Sequence, residues 1–279
     1  MPARAWQNGI YSFLELLRLR QPTSTEAMLT FFNFAYGLMA LLYETVPAFE
    51  DSWIECMGDL GRYRLTIKDE DVREREVMTA VSRSWYSKAS DKAPTTGRLY
   101  HHLAILAHPI ERLYFYAKSL CVPIPFSNTR ESIMTWLDPL LAVDGFQHPR
   151  LAPMDVAFVK AHGYLFSQKS PDKFQVAADK FIELLDDHIS RTTHHWTKMG
   201  YFIAVSNACS LLSYGKDDSV ITKAIQSEAD GKASEGASTL LPASFTNTLH
   251  LVMGTHQVVL HRLISSFRNV GPSVWQIMS

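Results

Sequence analysis

The sequence predicts an all-α protein made of antiparallel helix pairs stacked side by side. Three observations lead there. Apolar residues recur at three-and-four spacing along most of the chain, whereas strand-like alternation is scarce. Pro22, Pro47, Pro94, Pro109, Pro123, Pro125, Pro139, Pro153 and Pro171 fall between these periodic segments or at their ends, where a missing N–H costs little. The chain has 279 residues and is 47% hydrophobic, enough to bury a large core as one elongated domain or two ordinary ones. Its 27 Lys and Arg balance 28 Asp and Glu, so no whole-chain field attracts a polyanion. Cys56, Cys121 and Cys209 are far apart and contain no C-x-x-C pair, which argues against a disulfide framework or a thiolate zinc site and for a reducing compartment.

In chain order, the periodic segments run at about 10–20, 25–46, 50–66, 72–91, 98–107, 110–121, 129–141, 154–167, 172–190, 193–213 and 241–268. The first carries Glu15 and Arg18 within its apolar residues and lacks a following small-residue cleavage site, so it does not read as a secretory signal. The second contains AMLTFFNFAYGLMALLY, Ala27 to Tyr43, close to the roughly 17-residue minimum for a membrane span but interrupted by Thr30 and Asn33. It is expected to be a helix packed on several sides, with no membrane partner. Ser24, Asp51, Ser127 or Asn128, and Ser170 stand where helix caps are needed. Residues 215–238, with KDDS and ADGKASEGAS, have weak periodicity and read as a mobile connection around one short helix.

The stretch GRLYHHLAILA, Gly97 to Ala107, sets the register of the pairs. A tetratricopeptide unit needs a large residue at position 4, Leu at 7 and a small residue at 8, then an aromatic at 24, Ala at 27 and Pro at 32, so that two helices can nest. With Gly97 at position 1, Tyr100, Leu103 and Ala104 take positions 4, 7 and 8. One period earlier, Tyr86, Ala89 and Pro94 take 24, 27 and 32. The helix before that, Trp53 to Leu65, carries Gly58 at the small position but is offset by an insertion, TIKDEDVREREV.

His101 and His102 are adjacent on this predicted helix and point about 100° apart, so a structural or surface role fits them better than shared metal ligation. Asp186, Asp187, His188, His194 and His195 have a better metal-binding composition, with Asp187 or His188 able to meet His195 across a turn between segments. Solvated helix ends remain the simpler reading, and no metal or cofactor is expected. The sequence has no G-x-S-x-G, P-loop, G-x-G-x-x-G or H-E-x-x-H motif, so no enzyme is predicted. Glu131 in RESI opens a helix and reads as capping and dipole chemistry.

GDLGRYR, Gly58 to Arg64, then WYSKASDKAPTTGRLYHHLAILA and LYFYAKSLCVPIPFSNTRESI, resemble the Ever-Shorter-Telomeres-type DNA/RNA-binding domain family of telomerase and Smg mRNA-decay adaptors. SFLELLR and VPAFEDSWIECMGDL read like its fungal branch. The resemblance covers roughly residues 9–141; beyond about 150 it consists mainly of helical order. It implies a 14-3-3-like domain of tetratricopeptide-like pairs over 1–141, N-terminally shortened, continued by C-terminal helical hairpins over 142–279. Residues 242–279 contain no acidic residue, so the acidic nuclease module of some family members is not expected there.

The resemblance also implies a phosphopeptide site at Arg62 and Tyr63, with Arg64 and Lys68 as supporting basic residues. A guanidinium can grip phosphate oxygens with a charged fork while a phenol adds a hydrogen bond. The family places a further basic residue on an earlier helix; Arg18 or Arg20 is the substitute available here. The plain alternative for Arg62 is an ion pair with Asp59, three residues before it. The expected function is a non-catalytic scaffold binding a protein or phosphopeptide in the cytoplasm and/or nucleus, with a heterodimer through a related 14-3-3-like domain as a further partner. The alternative is direct RNA or single-stranded DNA binding. Residues 51–130 hold 12 basic and 10 acidic residues, which forces no basic face. Tyr114, Phe115 and Tyr116 beside Arg112 and Lys118 are expected chiefly in the core rather than stacking bases.

Overall fold

The computed structural model describes residues 4–67, 72–229 and 241–269, the last including a helix end; for 193–195 and 266–269 it gives the backbone alone. Among the described residues no β-strand forms, and His148 and Leu151 make an isolated bridge. The all-α expectation holds. Cα packing divides the chain into two compact units, Met1–Leu106 and Ala107–Ser279.

In the first unit a π-helical turn, Ala5–Tyr11, runs into α1, Ser12–Leu19. Next come α2, Thr25–Thr45; α3, Glu50–Arg64; α4, Val72–Lys92; and α5, Gly97–Ile105. Sequential helices pack on one another, α1 on α2, α2 on α3, α3 on α4 and α4 on α5. The core joins Leu14, Met28, Phe32, Met39, Met57 and Leu60. A smaller cluster unites Ile54 of α3, Ala89 of α4 and Leu99 of α5, so the predicted pairing around Ala89 and the Tyr100 helix is realised.

Gly58 shows why a small residue is needed. A Cβ there would lie 2.8 Å from the Tyr86 ring, and Tyr86 is fully buried. The small position of one helix therefore receives the aromatic of the next, despite the offset between them. Part of the insertion is taken up by α4, which already begins at Val72 and runs for 21 residues. The α2 segment departs from expectation. It buries Met28, Phe32, Ala35 and Met39 on one face while Phe34 is 65% and Leu41 56% exposed. Between Glu26 and Glu44 no residue is charged, which removes the polar marker that normally identifies the outward face.

The second unit contains α6, Pro109–Cys121; α7, Thr129–Ala142; α8, Pro153–Ser167; α9, Pro171–Leu211; α10, Val220–Ala229; and α11, Ala243–Asn269. Residue 141, where the sequence reading passes from repeat to extension, lies in the last turn of α7. Helix α9 is the spine, packing on α6, α8 and α11. Its core contacts come from Phe174, Phe181 and Leu185, all essentially buried, beside Phe158 of α8. Helical backbone runs through Pro171–Leu211 but folds back near its middle: His188 Nε2 lies 3.1 Å from Met199 Sδ, whereas eleven residues of straight helix would span about 16 Å. Phe158 and His162 of α8 meet Phe181 and Asn207, so the 172–190 and 193–213 segments lie side by side as expected. Within 215–238, Val220–Ala229 is helical and the remainder from 230 lies outside the described residues.

Candidate binding surface

On α3, Glu55, Asp59 and Arg62 recur at four-and-three spacing and form its half-exposed edge between the buried faces. Helix α5 brings Arg98 to this edge, where its Nη2 lies 2.5 Å from Glu55 Oε2. Arg62 Nη2 lies 3.1 Å from Asp59 Oδ1, and its Nε donates to the Tyr86 hydroxyl at 3.4 Å, the long limit for such a bond. Tyr86 in turn donates to Asp59 Oδ1 at 2.5 Å. The guanidinium is therefore oriented by two groups on two helices. Burial works against its charge, but Tyr86 and Asp59 outweigh that and raise its pKa.

The two histidines lie behind these charges. His102 stacks on Tyr86 with centroids 4.9 Å apart and planes at 19°. Its buried Nδ1 has no hydrogen-bond partner among the described residues. Burial, followed by Arg62, lowers the His101 pKa to about 4, and burial is also the chief cause of the His102 shift to about 3. Both rings are neutral near pH 7, and their role here is packing against the Arg62 and Tyr86 assembly.

Tyr63 follows Arg62 in sequence but reaches different partners. Its hydroxyl donates to Glu15 Oε1 at 2.7 Å, and its ring meets Tyr11 edge-on at 5.8 Å. Glu15 also pairs with Arg18 at 2.8 Å, which, with the Tyr63 bond, lowers its pKa. Thus the earlier helix presents Glu15 to Tyr63, with Arg18 held behind that carboxylate. Arg64 is 5% exposed and pairs with Glu74 of α4, so it serves the α3–α4 contact. Lys68 lies outside the described residues. The sequence reading missed Arg98, Glu55 and Glu15. The spacing of Glu55 from Asp59 was a visible signal, whereas the other two depend on how neighbouring helices cross.

The fold-back within α9 sets His188 Nε2 3.1 Å from Met199 Sδ. His194 and His195 side chains lie outside the described set, and no metal-binding group of three His, Cys, Asp or Glu occurs among the described residues. In the second unit, Tyr114 and Tyr116 are buried and Phe115 is half-buried. Tyr114 packs on Phe202 at 4.8 Å, so the aromatic run is largely core, as expected.

Nested helix pairs with opposite charges along one helix edge define an all-α helical-repeat fold. More particularly, residues 82–209 match the family described as the Est1 DNA/RNA binding domain. This stretch begins after Arg62 and Tyr63 and extends well past residue 150, where sequence resemblance had reduced to helical order. The chain is 34% identical over 84 residues to the telomerase-binding protein EST1A of Danio rerio, covering 29% of this chain and 5% of that protein. It is 27% identical over 133 residues to the nonsense-mediated mRNA decay factor SMG7 of Danio rerio, covering 46% of this chain and 10% of SMG7. The SMG7 of Arabidopsis thaliana is 33% identical over 86 residues, 29% of this chain and 8% of that protein. The chain therefore aligns with only a small part of each relative.

Proposed function

We propose that this chain is a non-catalytic adaptor module that binds a protein partner along the α3–α5 edge, with Arg62 contacting phosphate on a phosphorylated partner. The observation that carries this reading is the Arg62 guanidinium. Its side chain is 32% exposed, yet Asp59 and Tyr86 fix its orientation before a partner arrives. A pre-oriented guanidinium loses less freedom on gripping an oxyanion than a free surface arginine does. Tyr63 contributes by bracing α3 through Glu15, leaving phosphate contact to Arg62. The EST1A and SMG7 relatives support work in telomerase binding or mRNA decay, and hence in the cytoplasm and/or nucleus.

Titration of the whole chain with a phosphoserine peptide and its unphosphorylated twin tests this reading. Saturable, phosphorylation-dependent binding should disappear in Arg62→Glu while the helical circular-dichroism signal persists. Equal binding of both peptides would remove the phosphate role. Affinity for single-stranded RNA that falls steeply with salt, without peptide binding, would favour the nucleic-acid function suggested by the matched family name.

A further inference from the structure

We propose that Cys121 and Cys209 form a reversible disulfide, a thiol-oxidation site that ties the end of α6 to the end of α9. These residues are 88 positions apart in sequence, yet their side chains meet in a single cluster with Ala117, Leu120 and Tyr214. Cys121 is the last residue of α6 and is half-buried, while Cys209 lies in the last turn of α9 and is 6% exposed. Cys121 packs directly against the buried cluster that holds Cys209.

The surrounding backbone holds them in place. After α9, Tyr214 N donates to the Cys209 carbonyl at 2.8 Å, and Arg130 Nη2 donates to the Tyr214 carbonyl at 2.9 Å. Gly215 then adopts φ +71°, against the end of α6, where a Cβ would stand only 2.1 Å from Leu120 O. Only a residue without a side chain permits this approach. The two cysteine backbones are thus clamped on both sides of the thiol contact.

The local chemistry distinguishes the partners. The neighbouring Cys209 thiol, aided by the positive charge of Arg130, lowers the Cys121 pKa against the opposing effect of burial. Cys121 is also the more exposed of the two, so its sulfur meets the oxidant first and attacks, and Cys209 resolves. With hydrogen peroxide as oxidant, the Cys121 thiolate attacks one peroxide oxygen and breaks the O–O bond. This gives a sulfenic acid, and the departing hydroxide takes a proton to become water. The Cys209 sulfur then attacks the sulfenic sulfur, its thiol proton leaves with the hydroxyl as a second water, and the S–S bond forms. Two thiols have lost two electrons and two protons, and the peroxide has gained both. An added dithiol returns the pair to its reduced form by exchange. Cys56, in the first unit, provides an internal control because burial pushes its thiol up to about 12.

The full-length chain should be exposed to hydrogen peroxide and then alkylated. Two of its three thiols should become protected. Peptide mapping under non-reducing conditions should reveal a 121–209 cross-link lighter than its component peptides by two hydrogens, which dithiothreitol removes. Cys56→Ser should retain the cross-link, whereas Cys121→Ser should abolish it and leave residue 209 alkylatable. A stable sulfinic acid at Cys121 with residue 209 still free, a cross-link through Cys56, or no thiol loss would overturn the proposal. The wild-type map decides independently of how either variant folds.

Discussion

Residues 4–106 present polar anchors as opposite charges on a half-exposed helix edge, Asp59 with Arg62 and Glu55 with Arg98. Residues 107–269 instead enclose a neutral chain of His162, Asn207, Thr255 and Tyr214. His162 Nδ1 lies 2.7 Å from the Tyr214 hydroxyl and Nε2 lies 3.1 Å from Asn207 Oδ1, while Asn207 Nδ2 donates to Thr255 at 3.2 Å. The acceptor at Asn207 assigns the proton to Nε2, leaving Nδ1 to accept from Tyr214. Half-exposed charges can exchange partners at small cost, whereas a sealed network penalises every missing bond. The first arrangement suits recognition and the second fixes packing.

The largest expected loss comes from Gly215→Val. A positive φ and a side chain driven into Leu120 O should destabilise the second unit by about 3 kcal/mol or more, measured by chemical denaturation. Preservation of stability would show that the α9 end can move freely, contrary to the fixed packing ascribed to this unit. Acid comes next. Burial lowers the His162 pKa from 6.5 to about 4, so the unfolded chain takes up this proton first. Its contribution is fully present above pH 6.5 and is lost as pH falls toward 4, about 3 kcal/mol in all. The His101 and His102 shifts have the same sign. His162→Gln should reduce the slope of stability against pH in that window.

Tyr214→Phe should cost about 2 kcal/mol because it leaves the buried His162 acceptor unpaired. A smaller change is expected at the charged edge: Arg62→Ala should cost about 1 kcal/mol, and Asp59→Asn should reduce the penalty of a second substitution at 62. Equal penalties at Tyr214 and Arg62 would erase the contrast between the two units. Arg98→Ala should have the least effect, about 0.5 kcal/mol, and it should shrink further at high ionic strength.

The same contrast explains which features could be read from sequence. Gly58, Tyr86 and Ala104 announced the nesting of pairs because small and aromatic residues recur with a repeat period, even though 66–77 shift the phase. Asp59 and Arg62 were legible because their spacing belongs to one helix. Contacts across helices were not: Glu15 meets Tyr63 from 48 residues away, and Tyr86 meets Arg62 from 24. Phosphate binding at Arg62 remains a proposal, and the Arg62–Asp59 pair supplies its starting geometry.

Tyr86 belongs to both the hinge of the helix pair and its charged rim. Its ring fills the notch at Gly58, while its hydroxyl binds Asp59 and receives Arg62. A guest anion drawing Arg62 outward would also tug on the wedge between α3 and α4. Occupancy at the rim would then register inside the fold, giving tyrosine fluorescence a route to report docking without an attached dye.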